Sequence, residues 1–227
     1  MKDSMGPRPL PTLRTPMILL AALNLAILGK RLWPWQQVFS LPGDGTTGID
    51  PAITLLGYIG LAFWIAGNRR EPVKRALSTG AMLGVLAGFL LVAQTLLAAT
   101  PGLVAALHPH LMQVGLLTVS GILWGIAGLL GLRATRDVSI GTLAGAWSAM
   151  VSCLMAATAV LVEMVRAVSP PLTQDPWKQY EALAIGPATT QALVNSLNSA
   201  TAFLLIGPLV GGALGLVFAF FGKTKRA

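Results

Sequence analysis

The chain has 227 residues, of which 54% are hydrophobic and only 11% charged, with 25 glycines and a formal net charge of +8. A water-soluble domain needs a more highly charged surface, so the composition argues against one and points to helices packed closely in lipid. Positive charge also suits nucleic-acid binding, but these Lys and Arg residues flank apolar runs, so the expected partner is the lipid bilayer and not nucleic acid.

A membrane span needs about 20 mostly apolar residues. The first candidate, Pro16 to Gly29, is short of a hydrocarbon core about 30 Å thick, reaching only about 21 Å at the helical rise. Lys30 and Arg31 can reach back to the headgroups while Trp33 and Trp35 form an aromatic belt, so a span is expected. The alternative is five spans with a re-entrant or interfacial first helix. A cleaved leader is disfavoured, because Gly29 runs straight into Lys30-Arg31 with no small-x-small site.

The Leu41-Pro42-Gly43-Asp44-Gly45 turn precedes the second apolar segment, Pro51 to Gly67. Longer ones follow at Leu77 to Ala99, Leu111 to Leu132, Val138 to Val162 and Ala200 to Phe221. Ser169-Pro170-Pro171 ends the fifth, and Trp177 and Tyr180 suit a short interfacial segment before the sixth. The pattern predicts an all-α, polytopic transmembrane helix bundle of about six spans, a single integral membrane domain over residues 1–227.

If all six segments cross, one side holds 12 basic residues: Lys2, Arg8, Arg14, Arg69, Arg70, Lys74, Arg75, Arg133, Arg136, Lys223, Lys225 and Arg226. The other holds 4, Lys30, Arg31, Arg166 and Lys178, together with Asp44, Asp50, Asp175 and Glu181. Basic residues in short loops stay on the cytoplasmic side, so a multi-pass protein of the cell (inner) membrane with both termini cytoplasmic is expected.

At an offset of 61 residues Gly60 pairs with Gly121, Ile65-Ala66-Gly67 with Ile126-Ala127-Gly128, Arg75 with Arg136, Gly80 with Gly141 and Gly84 with Gly145. Residues 51–111 and 112–172 therefore read as two parallel copies of a helical hairpin. Three stripes of small residues recur at intervals of four: Gly80, Gly84, Gly88; Gly141, Gly145, Ala149; and Gly207, Gly211, Gly215. Close backbone approach over such a glycine zipper supplies dispersion contacts that lipid cannot.

Gln191, Asn195 and Asn198 share one face of the last helix, roughly opposite its glycines. Pro208 leaves the Leu204 carbonyl without its usual donor, so Gly207-Pro208 is expected to kink or break this helix, as in many transporter sites. With Gln94 at a similar depth, these amides could line an outward polar vestibule.

His108-Pro109-His110-Leu111-Met112 contains the only two histidines, a weak copper-type motif, and the expectation is no metal and no cofactor. Cys153 is the only cysteine and reads as a small core hydrophobe. Glu163 and Arg166 can pair across one helical turn, and Asn24 should bond to a neighbouring helix. No catalytic triad, paired carboxylates or phosphate loop stands out, so an enzyme is not expected. The preferred reading is a non-catalytic scaffold or accessory subunit packing against partner membrane subunits or its own copies. The alternative is a transporter or channel component for a small solute.

Overall fold

A computed structural model describes residues 14–32, 49–65, 70–98, 109–168 and 187–224. These residues are all helical apart from short turns: α1 (Arg14–Leu32), α2 (Ile49–Ile65), α3 (Glu71–Ala98), α4 (Pro109–Thr135), α5 (Val138–Val168) and α6 (Pro187–Thr224). α3, α4, α5 and α6 are long and apolar enough to cross a membrane, and α1 and α2 are shorter apolar helices, making a membrane bundle of about six spans. The Leu41–Gly45 turn, the segment from Ser169 to Tyr180, and His108 lie outside the described residues.

The helices overrun the apolar segments at several ends. α1 has 19 residues and so reaches about 28 Å, because Arg14, Thr15 and Lys30–Leu32 continue its turns beyond the apolar stretch. α3 starts at Glu71, whose carboxylate takes a hydrogen bond from Lys74 Nζ at 3.0 Å on the first turn. α6 is a single helix of 38 residues that runs unbroken through Pro208. The break expected at Gly207-Pro208 is therefore absent: proline removes one N–H and the flanking turns still hold the helix.

α5 is the centre of the bundle. Of its candidate span 67% is buried, against 33% for α4 and 28% for α6. α3 packs along one side of α5 and α6 along the other, while α4 closes over all three and the α1–α2 pair rests on α5 and α6. Glycines set the directions. Gly80, Gly84 and Gly88 meet Ala144, Ser148 and Met155 in ascending order, so α3 and α5 run parallel. Gly207, Gly211 and Gly215 meet Cys153, Ala149 and Gly145 in descending order, so α6 runs against α5.

The start of α3, end of α4, start of α5 and end of α6 thus share one end of the bundle, carrying Arg70, Lys74, Arg75, Arg133, Arg136 and Lys223. At this basic end α4 turns into α5 within two residues. Arg136 adopts φ 58°, and its N–H donates to the Leu132 carbonyl at 2.6 Å, closing α4 in the left-handed manner usually left to glycine. Asp137 then caps α5, accepting from the Ser139 hydroxyl at 2.7 Å and the Ser139 N–H at 2.9 Å. Those two bonds, the hydroxyl's first, hold its carboxyl below the usual carboxylate range.

Two side-chain bonds pin outer helices to α5. Asn24 Nδ2 donates to Thr158 Oγ1 at 2.9 Å from α1, and Trp124 Nε1 donates to Ser152 Oγ at 3.0 Å from α4. Asn24 is fully buried, as its interhelical role requires. α1 and α2 are joined near the start of one and the end of the other, where the Arg14 guanidinium lies 4.4 Å from the centre of the Phe63 ring.

Candidate functional site

Two features could carry function in this fold: the glycine seams around α5, and a cavity between α4 and α6. The seams are the tighter. A Cβ placed on Gly80 would lie 2.8 Å from the Ala144 carbonyl oxygen, and one on Gly84 2.5 Å from that of Ser148. On the other side of α5, a Cβ on Gly145 would lie 2.6 Å from the Gly211 carbonyl oxygen and 2.8 Å from Gly215 Cα. A Cβ on Gly141 would lie 2.7 Å from the Gly128 carbonyl oxygen, while one on Gly88 would run into the Met155 thioether and one on Gly207 into Cys153 Sγ. The three stripes thus meet other helices of the same chain, through backbone at Gly80, Gly84, Gly141 and Gly145 and through side chains at Gly88 and Gly207, at distances that leave no room for a side chain of their own.

A fourth stripe lies on α4 and has the same kind of signal in its spacing. Gly121, Gly125, Gly128 and Gly131 recur every three or four residues and face Leu214, Phe218, Gly215 and Ala144 respectively. Ser148 and Ser152 fill the remaining space in the seams, both fully buried. The Ser152 hydroxyl donates to the Ala149 carbonyl at 3.0 Å while accepting from Trp124, so its lone pair and proton are both used.

The expected polar lining is not assembled in the same way. The packed face of α6 comprises Leu197, Ala200, Leu204, Gly207, Gly211, Gly215 and Ala219. At about 100° per residue, Asn198 lies about 120° round the helix from the middle of that face, and it is exposed. Gln94 is half-buried on α3, with its Oε1 buried and without a hydrogen-bond partner. Gln191 and Asn195 are in the first turns of α6, and their side chains lie outside the described residues. Neither Gln94 nor Asn198 lines the cavity.

That cavity has a volume of about 700 Å³. α4 and α6 touch backbone to backbone at Gly128 and Gly215 and separate toward the end away from the basic residues. Leu117, Thr118 and Gly121 form one wall, and Ser199, Ala202, Phe203 and Ile206 the other. The floor is Leu91 of α3, Cys153 of α5 and the Trp124 ring, so the space reaches through the outer pair of helices to the core. Its polar atoms are largely occupied: Trp124 Nε1 by Ser152, and Thr118 Oγ1 by the Val114 carbonyl at 2.7 Å. Length and apolarity of the runs reveal nothing of this space, which comes from the divergence of two helices.

Several other polar groups pair locally. Glu163 accepts from Arg166 at 2.9 Å near the far end of α5. The hydroxyls of Thr95, Thr142, Thr158 and Thr201 donate to carbonyls four residues back on their own helices. Among the described residues no three His, Cys, Asp or Glu side chains gather in a group able to hold a metal ion.

The chain matches no family model, no curated protein and no solved structure. The geometry alone carries the functional reading.

Proposed function

We propose that this protein is a non-catalytic scaffold or accessory subunit of the cell (inner) membrane, with both termini cytoplasmic and its contact surface on the outer face of α2. The supporting observation is the contrast between used and unused glycines. The striped glycines of α3, α4, α5 and α6 are met by neighbouring helices, which leaves the glycine zipper no capacity for an outside partner, and Gly29 of α1 and Gly115 of α4 are open only singly. On α2, a Cβ on Gly57 or Gly60 would meet nothing within 4 Å. With the exposed Ile53 and Leu56 they make a shallow, small-residue strip of the kind that admits a helix of a partner subunit or of a second copy.

No vestibule is proposed, because the cavity between α4 and α6 is apolar and neither Gln94 nor Asn198 lines it. The duplication of residues 51–111 and 112–172 remains part of the proposal, supported by Gly80, Gly84, Gly141 and Gly145 all sitting at close helix contacts.

The test is affinity purification in mild detergent followed by mass spectrometry, comparing the parent with Gly60→Trp. The expected result is one polypeptide recovered in fixed ratio with the parent and lost with the variant, while thermal unfolding of the two is alike. A parent that purifies alone as a monomer and conducts a solute in proteoliposomes overturns the proposal.

A further inference from the structure

We propose that the cavity between α4 and α6 binds a single acyl chain of a membrane lipid, inserted from the leaflet opposite the basic end. The chemistry follows from the walls: they are aliphatic and aromatic, and the indole N–H at the floor is already bonded to Ser152. A polar solute entering this space would lose its water without gaining partners, whereas a hydrocarbon chain loses nothing.

The depth agrees. Counting from Thr224 at the basic end of α6, Phe218 lies about 9 Å in and Ser199 about 37 Å in. The space is closed on the basic side, where α4 and α6 touch at Gly128 and Gly215, and it opens toward the far headgroups, with Thr118 about 25 Å in on one wall and Ser199 on the other.

The shape suits a chain. The lining residues extend about 28 Å along α6, from Ser199 to Phe218, and about 10 Å along α4, from Leu117 to Trp124. Between them the space narrows inward to Leu91 and Cys153 and closes toward the backbone contact of Gly128 with Gly215. A flexible alkyl chain can follow that narrowing path to the floor, and a rigid helix about 10 Å across cannot. This inference concerns a lipid site and is separate from the α2 surface.

The experiment uses the full-length protein in phosphatidylethanolamine–phosphatidylglycerol vesicles doped with a phospholipid carrying a diazirine on one acyl chain. After illumination, the adducts are mapped by mass spectrometry. Adducts should concentrate on Leu117, Ile122, Ala202, Ile206 and Cys153, relative to outward residues such as Leu209 and Phe220. Ala202→Trp and Ile122→Trp, each placing an indole in the slot from an exposed wall position, should lower labelling of Cys153 several-fold and leave that of Phe220 unchanged. Ala213→Trp, outside the slot, should leave both unchanged. Even labelling of all lipid-facing residues, or Cys153 labelling that neither slot-filling variant reduces, overturns the proposal. So does a photoreactive residue at Val210 that, in whole cells, captures a polypeptide instead of lipid.

Discussion

Replacing Gly145 with alanine adds one carbon at a seam where two helix backbones meet. That carbon would sit 2.6 Å from the Gly211 carbonyl oxygen, while ordinary van der Waals contact begins near 3.4 Å, so α6 must retreat by at least the difference of 0.8 Å. Both obstructing groups are backbone, and neither can turn aside as a flexible side chain would. A radial gap of about 0.5–1 Å forfeits a quarter to a half of each dispersion contact it opens, and overpacking of this kind typically costs about 1–3 kcal/mol. Alanine also gains up to about 1 kcal/mol over glycine as a helix former, which blurs the sign of the net effect. Gly60→Ala removes the ambiguity, because it carries the same gain with nothing within 4 Å to meet. Thermal unfolding of both variants in the same detergent should place Gly145→Ala below Gly60→Ala by about 1–3 kcal/mol, the overpacking cost itself. Equal stability of the two variants would refute the packing geometry.

Asn24→Leu should change stability by less than about 1 kcal/mol, since interhelical hydrogen bonds in membranes average about 0.6 kcal/mol, and leucine also removes an Asn24 Oδ1 that is buried without a partner. Loss of folding in detergent would contradict this. Asp137 is held below the usual carboxylate range by Ser139, so its contribution is present above the ordinary carboxylate value and is lost as pH falls through the lowered one. Asp137→Ala should therefore lower the melting temperature at neutral pH and flatten its decline in acid, and identical acid profiles would sink the capping argument. In a Cys153→Ala background, Thr46→Cys should react with an impermeant thiol reagent outside intact cells and Thr224→Cys should not. The reverse pattern would invert the orientation proposed for the basic end.

The number and kind of elements were legible because runs such as Val138 to Val162 are too long and too apolar for anything but a helix in lipid. Their ends were less so. Glu71 to Ala76 and Pro187 to Ser199 are amphipathic or polar, yet they continue α3 and α6 as regular turns. Glycine stripes mark where backbones can approach but carry no side chain that names a partner, so Gly145 could be seen as a contact without showing that Gly211 fills it. Pro208 read as a kink or break because its missing N–H is visible in one dimension, while the turns that carry α6 past it without a break are not. The separation of a polar from a packed face on α6 was legible from the spacing: Asn198 stands exposed, away from the glycines.

The most direct test of the proposed contact surface is site-specific photo-cross-linking in whole cells, with a photoreactive amino acid in place of Gly60 on α2 and, as a control, in place of Leu209 on α6. Position 60 should capture one defined polypeptide, a partner subunit or a second copy of this chain, while position 209, 74% exposed on the far side of the bundle's glycine seam, captures lipid alone. Lipid adducts alone at position 60, with a polypeptide captured at 209, would contradict the assignment of α2 as the contact surface.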